Sequence, residues 1–193
     1  AEAVQVFAAL SDRDSPQPDQ PGRYHALLLV NRDSGITQLA QLQGKKLSLT
    51  DPASTSGALL PRAGVRQLTG RTLEQHFGRV SYAGSHDRAL QALRKGLVDA
   101  AFVSSSRLAE AVRQGNLQAD DVVELWRSPA VPTDPFVQRQ TLCAPLQAQV
   151  RAAFLQHAAD LAPVFQRLGS GPFVAASDAD YRAVRELLRQ DTP

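Results

Sequence analysis

The feature of this 193-residue sequence that most clearly suggests a chemical role is a run of three consecutive hydroxyl residues. Ser54, Thr55 and Ser56 precede Gly57 in the segment "TDPASTSGALLP", which leads into an apolar run. The first N–H groups of a helix lack internal partners and its dipole is positive there, so a tetrahedral oxyanion could bind to them and to the hydroxyls. The alternative is that one hydroxyl caps the helix and the others face water. The residue spacing of a P-loop is absent.

A second candidate lies in the segment "YAGSHDRAL", where a predicted strand ends and a helix begins with His86 in its first turn. An imidazole at this position could donate a hydrogen bond to an anion and titrate near neutral pH. The alternative is that Ser85 caps the helix, Asp87 complements its dipole and His86 faces solvent. The run Ser85-His86-Asp87 is not a hydrolase triad, because such groups meet through the fold and not as sequence neighbours.

The hydrophobic pattern predicts an α/β fold that brings these two turns together. Strands are expected at 24–30, 46–50, 79–83, 98–103 and 121–126, and helices at 57–68, 86–96 and 107–116. This βαβαβαβ order is typical of a largely parallel sheet with helices on both faces. The ends of parallel strands share one edge of the sheet, so His86 can face the same crevice as Ser54–Ser56.

The sequence after Trp126 differs in character. A Pro-rich segment, an extended strand at 136–142, a long helix at about 145–168 and a capped helix at 177–188 are expected. Extended segments at 24–32 and 128–142 bracket the α/β unit, which suggests two lobes joined by a two-strand hinge with a ligand cleft between them. We therefore predict that 1–32 and 137–193 form part of lobe one and that 33–136 form lobe two.

Composition excludes several function classes. The formal net charge of +2 and the lack of a Lys/Arg block argue against nucleic-acid binding. The sequence contains no stretch of 18 apolar residues, so no membrane span is expected. The first ten residues lack the basic region of a signal peptide. Cys143 is alone, so an internal disulfide is impossible. No spacing typical of a metal site or a nucleophile–base pair occurs, so we expect neither a cofactor nor an enzyme.

Four segments together resemble the phosphonate- and phosphite-binding periplasmic proteins of ABC transporters: "LQGKKLSLTDPASTSGALLP", "YAGSHDRALQALRKGLVDAAFV", "SPAVPTDP" and "DADYRAVRELL". The resemblance runs from about Tyr24 to Leu188. It implies a two-lobed, type II periplasmic binding protein that works with a transporter permease. It also implies that Ser54, Thr55, Ser56 and His86 bind phosphonate oxygens, and that Asp134 faces the cleft, where family members can use an acid against a ligand amine.

Two departures from the family pattern carry further expectations. Members have an additional upstream segment that builds the first half of lobe one, so we expect weak ligand binding by this chain alone. Members that bind an aminoalkyl phosphonate have an acidic residue at the position of Ser106, which argues against strong selection for an amine. The alternative function is the periplasmic sensor domain of a receptor histidine kinase with the same fold. An enzymatic function has the least support in the sequence.

Overall fold

A computed structural model of the chain describes residues 3–13, 17 and 19–190. The strands, in chain order, are β1 (Val4–Leu10), β2 (Arg23–Tyr24), β3 (Ala26–Asn31), β4 (Lys46–Leu49), β5 (Arg79–Tyr82), β6 (Ala100–Ser104), β7 (Val122–Arg127), β8 (Val131–Pro132), β9 (Pro135–Arg139) and β10 (Phe173–Ala175). The α-helices are α1 (Leu60–Thr69), α2 (Leu73–His76), α3 (His86–Arg94), α4 (Ser105–Arg113), α5 (Ala144–Leu155), α6 (Ala162–Leu168) and α7 (Arg182–Gln190). A π-helical turn, Thr55–Leu59, runs directly into α1.

The chain divides into two compact units. The first contains the described residues of Ala1–Tyr24 and Ala130–Arg185, and the second those of His25–Pro129 and Glu186–Pro193. Strand β3, which the sequence analysis grouped with lobe one, lies inside the sheet of the second unit. Whether these units function as the two lobes, and whether a hinge joins them, stay predictions.

The second unit is built on a five-stranded sheet in the order β5-β4-β6-β3-β7. Strand β4 is parallel to β5 and β6, whereas β3 is antiparallel to both β6 and β7. The expected strands are therefore present, but the expectation of a largely parallel sheet is wrong for the two pairings that β3 makes. A strand buried on both faces has the same apolar pattern in either direction, so periodicity does not encode its orientation.

Helices cover both faces of this sheet, as the alternating pattern predicted. On one face, Leu28, Val30 and Phe102 pack with residues of α1 and α2. On the other face, the neighbouring residues Leu27 and Leu29 pack with residues of α3 and α4. Successive side chains of a strand point to opposite faces, so β3 and β6 contribute to both cores at once.

Gly64 explains how α1 reaches the sheet. A Cβ at Gly64 would lie 2.5 Å from Cζ2 of Trp126, and the Trp126 ring stacks edge-on against Phe102 with centroids 5.9 Å apart. A glycine weakens a helix interior, but here it allows the backbone of α1 to pack directly on the indole ring.

The first unit contains a three-stranded antiparallel sheet, β10-β1-β9, and the two-stranded pair β2-β8. Phe154 of α5 packs on Phe7, Phe136 and Phe173, with ring centroids 4.7–5.2 Å apart. The sequence analysis did not predict β1, whose partners β9 and β10 are more than 100 residues away along the chain.

The single helix expected at about 145–168 is wrong, because the structure has two helices, α5 and α6, with a break after Leu155. Pro163 lies in the first turn of α6, where its missing N–H costs nothing, while inside a longer helix its ring would clash with the preceding turn. The capped helix expected at 177–188 is present as a 3-10 turn, Asp178–Tyr181, followed by α7. Across the described residues, no helix has the length and apolarity needed to cross a membrane.

Candidate functional site

The turn after β4 starts with a helix cap. Ser54 has an extended backbone (φ −72°, ψ 124°), and its Oγ accepts a hydrogen bond of 3.0 Å from the N–H of Gly57. The chain then makes the π-helical turn and continues into α1. Single π-turns inside helices occur frequently at functional sites. The capping interpretation of the hydroxyl cluster is therefore correct for Ser54.

The other two hydroxyls of the cluster are not used in this way. Thr55 is half-buried and Ser56 is 2% exposed, and neither side chain has a hydrogen-bond partner within the described part of the chain. The backbone N–H groups of Thr55 and Ser56 open the helix, where no carbonyl of the preceding turn is available to them. Within the described residues, two hydroxyls and two N–H groups thus remain unpaired next to a cap that fixes the turn.

Thr50 is a residue of this turn that the sequence analysis missed. Its Oγ1 is fully buried and has no hydrogen-bond partner among the described residues. A Cβ at Gly57 would lie 1.7 Å from this oxygen and 2.9 Å from Oγ of Ser54, so only glycine fits above Thr50. The signal in the sequence is a threonine at a strand end, seven residues before a glycine that follows three hydroxyls.

His86 lies at the start of α3 and is held by a backbone donor. The N–H of Ser104 donates to Nδ1 of His86 at 3.1 Å, so the neutral imidazole carries its proton on Nε2. Burial lowers the pKa of His86 below its usual 6.5, the positive charge of Arg107 lowers it further, and Asp87 opposes the shift. His86 is therefore a neutral donor at pH 7, and its Nε2 has no partner within the described residues.

The second unit brings both turns to one edge of the sheet. The N–H of Gly84, after β5, donates to the carbonyl of Thr50, after β4, at 2.7 Å. Strand β6 runs parallel to β4 and ends at Ser104, which binds His86. We call this the carboxyl edge: the ends of β4, β5 and β6 with the helix starts at Ser54, Ser85 and Ser104. Ligands of α/β proteins bind at such an edge.

Two further residues from the sequence analysis have defined places. Ser106 is exposed in the first turn of α4, at the carboxyl edge, and its Oγ lies 3.2 Å from Oγ of Ser104. Asp134 is exposed between β8 and β9 and belongs to the first unit. Burial raises the pKa of Tyr181 in that unit to about 12, with the charges of Asp180 and Asp134 adding to the effect. A ligand-binding role for Asp134 stays a prediction.

Other kinds of site have little support. A cavity of about 270 Å³ lies along β4 and β5, and Lys46, Arg79, Ser48 and Ser81 line part of it. Its lining includes none of the residues predicted to bind a ligand, and both serine hydroxyls donate to backbone carbonyls. Among the described residues no group of His, Cys, Asp or Glu side chains could hold a metal ion.

Comparison with known proteins identifies the family of the chain. The sequence profile of the family "ABC transporter, phosphonate, periplasmic substrate-binding protein" matches residues 1–181. The phosphonates-binding periplasmic protein of Escherichia coli is 32% identical over 189 residues, which cover 95% of this chain and 54% of that protein. The chain spans about half the length of the curated relatives it matches.

Solved structures show the same fold. The binding protein component of an ABC phosphonate transporter from Pseudomonas aeruginosa superposes with a TM-score of 0.82 at 26% identity, over 96% of this chain and 61% of that chain. PhnD1 from Prochlorococcus marinus, solved with methylphosphonate, gives 0.81 at 16% identity, over 97% and 71%. The fold is therefore that of type II periplasmic binding proteins, and the homologues found are substrate-binding proteins and not enzymes. The chain belongs to the family of periplasmic substrate-binding proteins of phosphonate ABC transporters.

Proposed function

We propose that this chain is the ligand-binding part of an extracytoplasmic protein that captures a small tetrahedral oxyanion, a phosphonate or phosphite, for an ABC transporter permease. The observation that carries the proposal is the open turn at Thr55 and Ser56, at the same edge as His86. Its hydroxyls and N–H groups have no partners among the described residues. The family match supports the phosphonate class and a location in the periplasm.

The donors of this site are neutral, and this determines how it recognises an anion. The site can donate directional hydrogen bonds but carries no full positive charge. Its donors are two hydroxyls, two backbone N–H groups and the Nε2–H of His86. Such a site discriminates by the number and placement of acceptor oxygens. Replacing one oxygen by H or CH3 leaves a donor unpaired, which costs about 1–3 kcal/mol. Phosphite, methylphosphonate, phosphate and sulfate should therefore differ measurably in affinity.

The test is calorimetry of these four anions with the complete gene product, in the parent protein and in Thr55→Ala. Hydrogen bonds to a charged group contribute about 1.5–3 kcal/mol, so Thr55→Ala should weaken the preferred anion by about one to two decades in Kd. Thr72→Ala is the matched control, because Thr72 caps α2 outside the carboxyl edge. Equal affinity in Thr55→Ala and the parent, or binding of none of the four anions, would contradict the proposal.

A further inference from the structure

The helix starts of this protein follow two patterns. In a capping box, the third helical residue is Glu, Gln or a similar acceptor whose side chain reaches back to the N–H of the cap. Four helix starts in the described chain have this form, with Gln or Asp at the third position: Gln38/Gln41, Thr72/Gln75, Gln118/Asp121 and Ser177/Asp180.

The two helices that begin at the carboxyl edge beside the candidate site are different. Ser85 and Ser104 accept from the backbone N–H of Arg88 and Arg107, at 3.2 and 3.3 Å, so arginine occupies the third position in both. A cation in the first turn is opposed by the positive end of the helix dipole. Local stability therefore does not explain either arginine.

Both arginines are exposed, and neither guanidinium has an ion-pair partner among the described residues. Nη1 of Arg88 folds back over the turn after β5, 3.3 Å from where a Cβ of Gly84 would lie. Arg107 is close enough to His86 to act on its charge, and Ser104 joins the two through the bond to Nδ1. Both cations thus border the same edge as the open turn at Thr55.

The neighbour of Arg107 is Ser106, which is exposed in the first turn of α4. The chain has a neutral hydroxyl there, followed by a cation without an ion-pair partner among the described residues. Arg107 would repel a ligand tail that carries an ammonium group. A carboxylate or a second phosphoryl group could instead accept two parallel hydrogen bonds from the guanidinium.

We propose that Arg88 and Arg107 form a cationic rim at the anion site and select phosphonates that carry a second anionic group over those that carry an amine. This inference rests on the proposed function, since it concerns the distal end of the same ligand. The rim acts on the ligand tail, whereas the neutral donors at Thr55, Ser56 and His86 hold the phosphonate group.

The experiment compares three phosphonates of similar size with different tails: ethylphosphonate, 2-aminoethylphosphonate and phosphonoacetate. Calorimetry on the complete gene product at pH 8 should give phosphonoacetate at least about tenfold tighter binding than 2-aminoethylphosphonate, because a charge-assisted pair replaces a repulsion. Raising the salt concentration should reduce this ratio, since the rim is exposed to solvent.

The variants Arg88→Gln and Arg107→Gln test the residues directly. Glutamine completes the capping box in each helix, so both variants should be at least as stable to heat as the parent. Each variant should bind phosphonoacetate about threefold to tenfold more weakly than the parent and bind ethylphosphonate with an affinity within about twofold of the parent. Arg66→Gln, at an exposed position in the last turn of α1, is the matched control and should change neither affinity.

The possible results separate the two proposals. Ethylphosphonate binding with no preference among the tails, or with a preference for 2-aminoethylphosphonate, would overturn the rim and leave the proposed function intact. Unchanged phosphonoacetate affinity in both glutamine variants would also overturn it. If no phosphonate binds to the parent protein, the proposed function itself fails, and the rim fails with it.

Discussion

The helix starts at Ser54 and at Thr72 use the same hydroxyl cap with different consequences. Oγ1 of Thr72 accepts from the N–H of Gln75 at 3.2 Å, and Oε1 of Gln75 accepts from the N–H of Thr72 at 2.9 Å, so the turn before α2 satisfies its own polar groups. The turn at Ser54 has its cap, yet the hydroxyls of Thr50, Thr55 and Ser56 remain without described partners. The turn proposed to bind the anion therefore differs from the structural turn in the polar groups that it leaves unpaired.

Leaving these hydroxyls unpaired costs the folded protein free energy. A buried polar group without a hydrogen bond costs about 1–3 kcal/mol, and buried polar groups are normally paired. Proteins keep such exceptions where a function needs them. The contrast between the two turns can be tested by closing the open turn, by removing each cap, and by changing His86 at the same edge of the sheet.

The largest effect is expected from Gly57→Ala. The new Cβ would lie 1.7 Å from Oγ1 of Thr50, an oxygen that is fully buried, so strand and helix must move apart. We expect a loss of about 3 kcal/mol in the free energy of unfolding, the upper range for overpacking, and loss of anion binding. Denaturant titration measures the first quantity and calorimetry the second.

The partner variant Thr50→Ala shows whether the clash is the cause. It removes the oxygen that the new Cβ meets, so Gly57→Ala with Thr50→Ala should regain part of the stability, though Cβ of Thr50 still lies 2.7 Å away. Additive losses in the double variant would mean that Gly57 is needed for another reason.

A smaller effect is expected from removing the two caps. Ser54→Ala and Thr72→Ala should each lower the free energy of unfolding by about 1 kcal/mol, the usual cost of a lost cap. Only Ser54→Ala should also weaken anion binding, because Ser54 holds the turn that carries Thr55 and Ser56. Equal affinities in the two variants would show that the turn at Ser54 is no more functional than the turn at Thr72.

Much of this site was predictable from the sequence, for a physical reason. The hydroxyl cluster and His86 each follow a strand and precede a helix, and such turns are local features that spacing reveals. Parallel strands then bring their ends to one edge without further information. The strands β3–β7 and helices α3 and α4 were identified for the same reason.

The features that the sequence analysis did not predict depend on contacts between residues far apart in the chain. The antiparallel direction of β3 and the strand β1 are set by partners far along the chain. The unpaired state of Thr50 depends on its close approach to Gly57. Arg88 and Arg107 did have a local signal, because each stands three residues after a capping serine where a capping box has an acceptor.

The smallest effect concerns His86 and pH. Burial lowers the pKa of His86 below 6.5, Arg107 lowers it further, and Asp87 partly compensates. The unfolded chain therefore takes up a proton on this residue at a higher pH than the folded protein, so this contribution to stability is complete above pH 6.5 and is lost as the pH falls below it. Protonation also turns Nδ1 into a donor that faces the N–H of Ser104, which breaks that hydrogen bond.

The variant His86→Gln isolates this effect, because the amide oxygen can accept from Ser104 and the amide nitrogen can donate to the ligand, yet neither titrates. Between pH 8 and pH 5 the free energy of unfolding should fall more steeply in the parent than in His86→Gln. His157→Gln, at an exposed histidine outside the carboxyl edge, is the matched control for the substitution itself. Parallel curves for the parent and His86→Gln would mean that His86 titrates alike in the folded and unfolded chains, and that the backbone of Ser104 does not hold it as a neutral donor.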